Sequence, residues 1–136
     1  ELRCIGVNPL VNSSEHFEWF SEHAGTAEAD PHTPAGAPIG GAERPWPVRG
    51  PQFVSFDLDV LDGAFAPGVS ALNPAGMTPG VAAAWCSAAG ANRDVVCFDI
   101  MELCPPHDHE GRTARVAAHL LLSFLRGFSR RTEAPR

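Results

Sequence analysis

Asp57, Asp59 and Asp62 stand together in SFDLDVLDGAFAPG, Ser55 to Gly68, where a short apolar run passes into acidic residues and then into a Pro-Gly loop. Asp57 and Asp59 have the period-two spacing that puts side chains on one face of an extended backbone. Two like charges that close push one pKa up unless a cation lies between them. Oxygen ligands of this kind suit Mn²⁺ or Mg²⁺, and a metal pair about 3.5–4 Å apart can be bridged by one carboxylate and completed by another. On spacing alone D-x-D is a weak signal, and the plainer reading is a pair of carboxylates capping the loop at a strand end. Asp62 precedes Gly63 and is expected to bond backbone N–H groups of the turn. Glu102 lies just beyond a second apolar run, Val95 to Ile100. His107 and His109 flank Asp108 in PPHDHEG. An H-x-H pair can ligate zinc, but no second pair stands at zinc-site spacing, so solvated loop histidines are expected. His16, His23, His32 and His119 are scattered and point to no site, and Met77 and Met101 read as packing residues.

These residues need elements that hold them. RCIGV, Arg3 to Val7, reads as a short strand. A helix follows over 12–25, with Asn12 and Glu15 at capping-box spacing, Gly25 as its stop, and Phe17, Phe20 and Ala24 on one face. Thr26 to Pro51 is crowded with Pro and Gly, shows no period, and is expected to be an irregular loop or a disordered insert. A compact strand runs from Phe53 into the acidic group. Thr78 caps a helix with Pro79 at its first position, ending near Gly90. Asp94 to Ile100 is a second compact strand, Arg112 to Phe128 a helix with a broad apolar face, and residues 129–136 a frayed tail. The alternation predicts an α/β fold with a parallel sheet. Strands as continuously apolar as FVSF and VVCF are expected to be covered on both faces. In such sheets ligands bind at the carboxyl ends of strands, which would gather Asp57, Asp59 and Glu102 on one rim.

The chain has 136 residues, one domain's worth, with 44% hydrophobic residues and a net charge of −6. That charge offers no basic footprint for nucleic acid. No run is long and apolar enough to span a membrane as a helix. The partner expected is a small-molecule substrate, with a homo-oligomer compatible. Cys4, Cys86, Cys97 and Cys104 form no C-x-x-C pair and read as reduced and buried, which fits the cytoplasm.

The two acidic segments resemble a known family. SFDLDVLDGAFAPGVSALNPAGMTPG is similar to the signature of the ureohydrolases, the arginase, agmatinase and formimidoylglutamase family. VCFDIMELCPPHDHEGRTARVAAHLL resembles that family's closing segment, and the pair covers Phe53 to about Leu125. The resemblance implies a three-layer α/β/α fold around a parallel sheet, with two Mn²⁺ ions at the carboxyl ends of the strands activating water against a guanidinium or amidine carbon. It implies that Asp57 bridges the metals, that Asp59 completes one of them, and that Glu102 faces the planar cation of the substrate. The loop PGVSALNPAG, Pro67 to Gly76, looks more like formimidoylglutamases, which release formamide and glutamate from N-formimidoyl-L-glutamate in histidine catabolism. Its Ser70 and Asn73 then offer neutral polar groups to the substrate.

The sequence also departs from the family pattern. The Asp-x-His-x-Asp cluster expected from an earlier strand end is absent, so the chain carries two of the six metal ligands in that pattern. The chain is expected to be the C-terminal part of a longer enzyme, incomplete at its N-terminal side and inactive by itself. The alternatives are an arginase- or agmatinase-type guanidino hydrolase and a non-catalytic relic of the fold.

Overall fold

The computed structural model describes residues 2–10, 12–28, 38–39, 42–43 and 50–131. They fall into two units, Glu1–His32 and Thr33–Arg136. In the first, β1 (Leu2–Ile5), α1 (Ser14–His23) and β2 (Gly25–Glu28) form a strand–helix–strand unit with parallel strands, Leu2 pairing with Gly25 and Ile5 with Glu28. α1 starts one residue later than Asn12 would have it. Ser13 is the cap, its Oγ accepting the His16 N–H at 3.2 Å, because the Asn12 amide is drawn back to the Asn8 carbonyl at 3.0 Å. Phe17 and Phe20 are half-buried.

β2 corrects the expectation of an irregular segment from Thr26 onward. GTAE has no apolar run to announce a strand; it is ordered by the parallel ladder to β1. Further along, β3 (Pro38–Ile39) and β4 (Ala42–Glu43) pair antiparallel. The rest of the Pro-rich stretch, 29–37, 40–41 and 44–49, lies outside the described residues, as do tail residues 132–136.

The second unit is built on β5 (Gln52–Asp57), α2 (Pro79–Ala91), β6 (Val95–Met101) and α3 (Arg112–Ser129). Thr78 caps α2 through its hydroxyl, which accepts the Val81 N–H, with Pro79 in the first turn. β5 and β6 run parallel, with Phe53 opposite Cys97 and Asp57 opposite Met101. Leu58, Leu61, Ala66, Ala82 and Leu120 are wholly buried. α2 and α3 cross in close contact. A Cβ added at Gly127 would sit 2.0 Å from the Ser87 carbonyl oxygen, and one at Gly90 2.0 Å from that of Phe124. Phe124 stacks on Phe98 of β6 with centroids 4.2 Å apart, tying α3 to the sheet.

The tail is anchored further than expected. Arg131 donates to the carbonyls of Gly90, Ala89 and Val95, two of these at 3.2 and 3.1 Å, and its guanidinium lies over Phe128. Within this unit, and among its described residues, helices cover one face of the strands only. Phe56 is buried toward the helices, whereas Phe53 on the other face is 61% exposed. Cys97 shares that open face and is exposed rather than buried; all four cysteines are free. Cys86 is buried, and burial pushes its thiol up to about 12. No helix among the described residues is long and apolar enough to cross a membrane.

Candidate active site

Because β5 and β6 are parallel and in register from Phe53/Cys97 to Asp57/Met101, Asp57 and Glu102 leave the sheet at the same end. β5 stops at Asp57, where the backbone turns into a short 3-10 helix, Leu58–Val60. Asp57 caps that turn, its carboxylate accepting the Asp59 N–H at 3.1 Å. The turn, and not an extended backbone of period two, brings the two carboxylates side by side. Capping and clustering therefore coexist in the same residue.

The electrostatics of this rim are those of a cluster of like charges. Asp59 is half-buried, and its pKa is pushed up to about 6 by burial, by the neighbouring Asp57 charge and hydrogen bond, and by Glu102. A carboxylate so raised either holds a proton or waits for a cation. A fourth acidic group lies behind the rim. Asp99 pairs with Ser55, on the face of the sheet that also carries Asp57, and its Oδ1 is buried without a hydrogen-bond partner.

Glu102 is held in an unusual way. Its φ is +68°, the left-handed region that costs a residue with a Cβ about 1–2 kcal/mol. Its Oε2 accepts a hydrogen bond from Ser70 Oγ at 3.0 Å. Strain kept beside a functional-looking cluster is the usual place to find it.

Ser70 reaches Glu102 because its loop is clamped two residues earlier. The buried Gly68 donates its N–H to Thr113 Oγ1 at 2.7 Å, and its carbonyl accepts from the Cys104 N–H at 2.8 Å. A Cβ on Gly68 would come within 2.5 Å of Asp108 Cβ, so only glycine fits. Asp108 in turn accepts the Thr113 and Ala114 N–H groups at 2.8 and 3.0 Å, closing the first turn of α3. Partial desolvation works against the Asp108 charge, but these N–H groups, the Thr113 hydroxyl and Arg115 hold its carboxyl below the ordinary value.

The other expected residues divide. Asp62 has the structural role foreseen for it, accepting the Ala64 N–H at 2.9 Å. Asn73 is placed differently from Ser70. Its backbone bridges Asp62, and its Oδ1 accepts the Ala75 N–H at 3.3 Å, an Asx turn that shapes the loop. His107 and His109 are exposed and, with Pro67, Val69, Ser70 and Leu72, line a cleft of about 410 Å³. Sequence reasoning missed Thr113, Gly68 and Asp99. An Asp five residues before a helical Thr was the one available signal for the Asp108–Thr113 clamp.

The donor set decides what a metal could find here. Asp57 and Asp59 are adjacent hard oxygen ligands with an unbalanced charge, which fits one edge of a divalent-cation site. Among the described residues no group of three or more His, Cys, Asp or Glu is arranged to hold a metal, so any remaining ligands lie outside them.

Known proteins are similar to this chain. Human mitochondrial guanidino acid hydrolase is 40% identical over 75 residues, 55% of this chain and 21% of its own length. Formimidoylglutamase of Halalkalibacterium halodurans is 40% identical over 75 residues, 55% of this chain and 24% of its own. The crystal structure of Trypanosoma cruzi formiminoglutamase with Mn²⁺ superposes with a TM-score of 0.81 at 26% identity, over 95% of this chain and 43% of that one. The chain thus spans about a fifth to a quarter of the length of these curated relatives, and under half of the crystallised one. The Arginase family profile matches residues 6–126, and the chain, with its arginase-like α/β fold, belongs to the arginase family.

Proposed function

We propose that this chain forms part of a manganese-dependent hydrolase of linear amidines, acting on N-formimidoyl-L-glutamate to give L-glutamate and formamide. The observation that carries the reading is the rim itself. Asp57 and Asp59 stand side by side, Glu102 acts on the Asp59 charge, and Ser70 holds the Glu102 carboxylate.

Asp57 and Asp59 would hold the metal. Mn²⁺ held there would supply a water-derived nucleophile at neutral pH, which the side chains alone do not. Glu102 pairs its charge with the amidinium, fixing the planar head on the acidic rim. The Ser70 hydrogen bond and the Gly68 clamp pre-set the Glu102 rotamer, so little ordering is left for the moment of reaction. Asp57 is steadied by the hydrogen bond it accepts from the Asp59 N–H. In the net reaction water's oxygen joins the amidine carbon, the bond from that carbon to the glutamate nitrogen breaks, and the nitrogen leaves protonated as the free amine. The enzyme would work in the cytoplasm as part of histidine catabolism.

A guanidino acid is the second reading, favoured by the equal identity to the human guanidino acid hydrolase. The test uses a complete arginase-family domain containing this chain, loaded with Mn²⁺ and offered N-formimidoyl-L-glutamate, guanidino acids, arginine and agmatine. Formamide as the dominant product is expected. Urea as the dominant product rejects the amidine in favour of a guanidino substrate, and release of neither rejects the hydrolase.

A further inference from the structure

The histidine pair has no part in the rim chemistry, yet its position is specific. His107 and His109 line a cleft together with Ser70, whose hydroxyl donates to Glu102. About 410 Å³ is within the range of small-molecule sites. The carboxylates nearby each have a partner. Glu102 accepts from Ser70, Asp108 accepts from the first turn of α3, and Glu110 faces Arg112 at 3.7 Å. Among the described residues no carboxylate lines the cleft, and the two imidazoles are its only ionisable groups. The His107 ring is steadied by its Nδ1, 3.5 Å from the Val69 carbonyl oxygen. The loop that carries Val69 and Ser70 is itself pinned at Gly68.

The surface is therefore divided by charge. The rim of Asp57, Asp59 and Glu102 is acidic and suits the cationic head of a substrate. The adjoining cleft offers imidazole N–H donors, with the His107 Nδ1 turned to the Val69 carbonyl, and suits an anion. A linear amidine acid carries both charges on one chain. We propose that His107 and His109 form the subsite for the carboxylate tail of the substrate, and so select amidine or guanidino acids over amidines ending in an amine. The proposal rests on the hydrolase reading above, which supplies the head; the cleft and its histidines supply the tail. Amine tails are disfavoured by the same geometry, because the described lining of the cleft offers an ammonium group no carboxylate partner.

The test needs no catalysis. The chain is titrated with glutarate, and in parallel with 1,5-diaminopentane, in mildly acidic buffer, following imidazole carbon–proton resonances by NMR. Single variants His107→Gln and His109→Gln assign the two signals. Glutarate is expected to move both in a saturable way and diaminopentane neither, and the double variant should bind glutarate at least tenfold more weakly, about 1.4 kcal/mol. Equal response to the diamine, no response to glutarate, or undiminished binding in the double variant overturns the proposal. Product analysis on the complete domain separates this from the hydrolase reading: silent imidazoles with intact hydrolysis sink the subsite alone, and glutarate binding without hydrolysis sinks the activity alone.

Discussion

Thr113→Val removes one oxygen from the clamp that places Ser70 on Glu102, at almost no change in volume. Thr113 is fully buried, and the Gly68 N–H it accepts at 2.7 Å is buried as well. Water cannot replace the lost acceptor. An unsatisfied buried donor costs about 1–3 kcal/mol. That is a large share of the roughly 5–15 kcal/mol typical of a domain. Thr113→Ser is the control. It keeps the hydroxyl and loses one methyl group, about 1 kcal/mol. In urea denaturation the valine variant should unfold about 1–2 M earlier and the serine variant less than about 1 M earlier. Faster amide exchange at Gly68 in the valine variant alone would locate the damage. Equal loss in the two variants would refute the argument, since it would mean that the methyl group and not the hydrogen bond matters.

Two further outcomes follow from the rim. Glu102→Gly should be about 1 kcal/mol more stable than Glu102→Ala, because both lose the Ser70 bond but glycine escapes the left-handed strain at φ +68°, less its larger unfolded-state entropy; thermal unfolding in which alanine equals or exceeds glycine would remove strain from the account. Asp59 has a folded-state pKa of about 6 against an ordinary value of 3.8, so the folded state holds this proton the more tightly. Its contribution to stability is present below 3.8 and is lost as pH rises toward about 6, and solvent screening at a half-buried group holds it to about 1 kcal/mol. Asp59→Asn should flatten the stability profile across that window, and an unchanged slope would argue against the charge cluster.

The sequence and the structure agree where local signals are redundant. Thr78-Pro79 fixes the start of α2 twice over, by a side-chain cap and a preset φ, and the apolar runs of β5 and β6 leave no other element to build. They diverge where two local choices are close in energy. Asn12, Ser13 and Ser14 can all cap a helix, and the Asn8 carbonyl decides by engaging Asn12. β2 was illegible because its residues are ordered by a partner strand more than twenty positions away. At the site, acidic residues at strand ends foretold the rim. The manner of their meeting did not show, because it depends on Asp57 ending the strand and capping a 3-10 turn. Ser70 on Glu102 and Gly68 on Thr113 join residues 32 and 45 apart, which no spacing rule reaches.

Mn²⁺ titration of this chain, followed by paramagnetic broadening of assigned amide resonances, tests the central claim most directly. The account predicts weak binding that broadens Asp57 through Val60 and Glu102 first, and that disappears in the double variant Asp57→Asn, Asp59→Asn. Weakness is expected because two carboxylates leave the ion largely hydrated. Broadening centred elsewhere and unchanged in that variant would contradict the metal site, and two tight Mn²⁺ sites in this chain would contradict the conclusion that the remaining ligands lie outside its described residues.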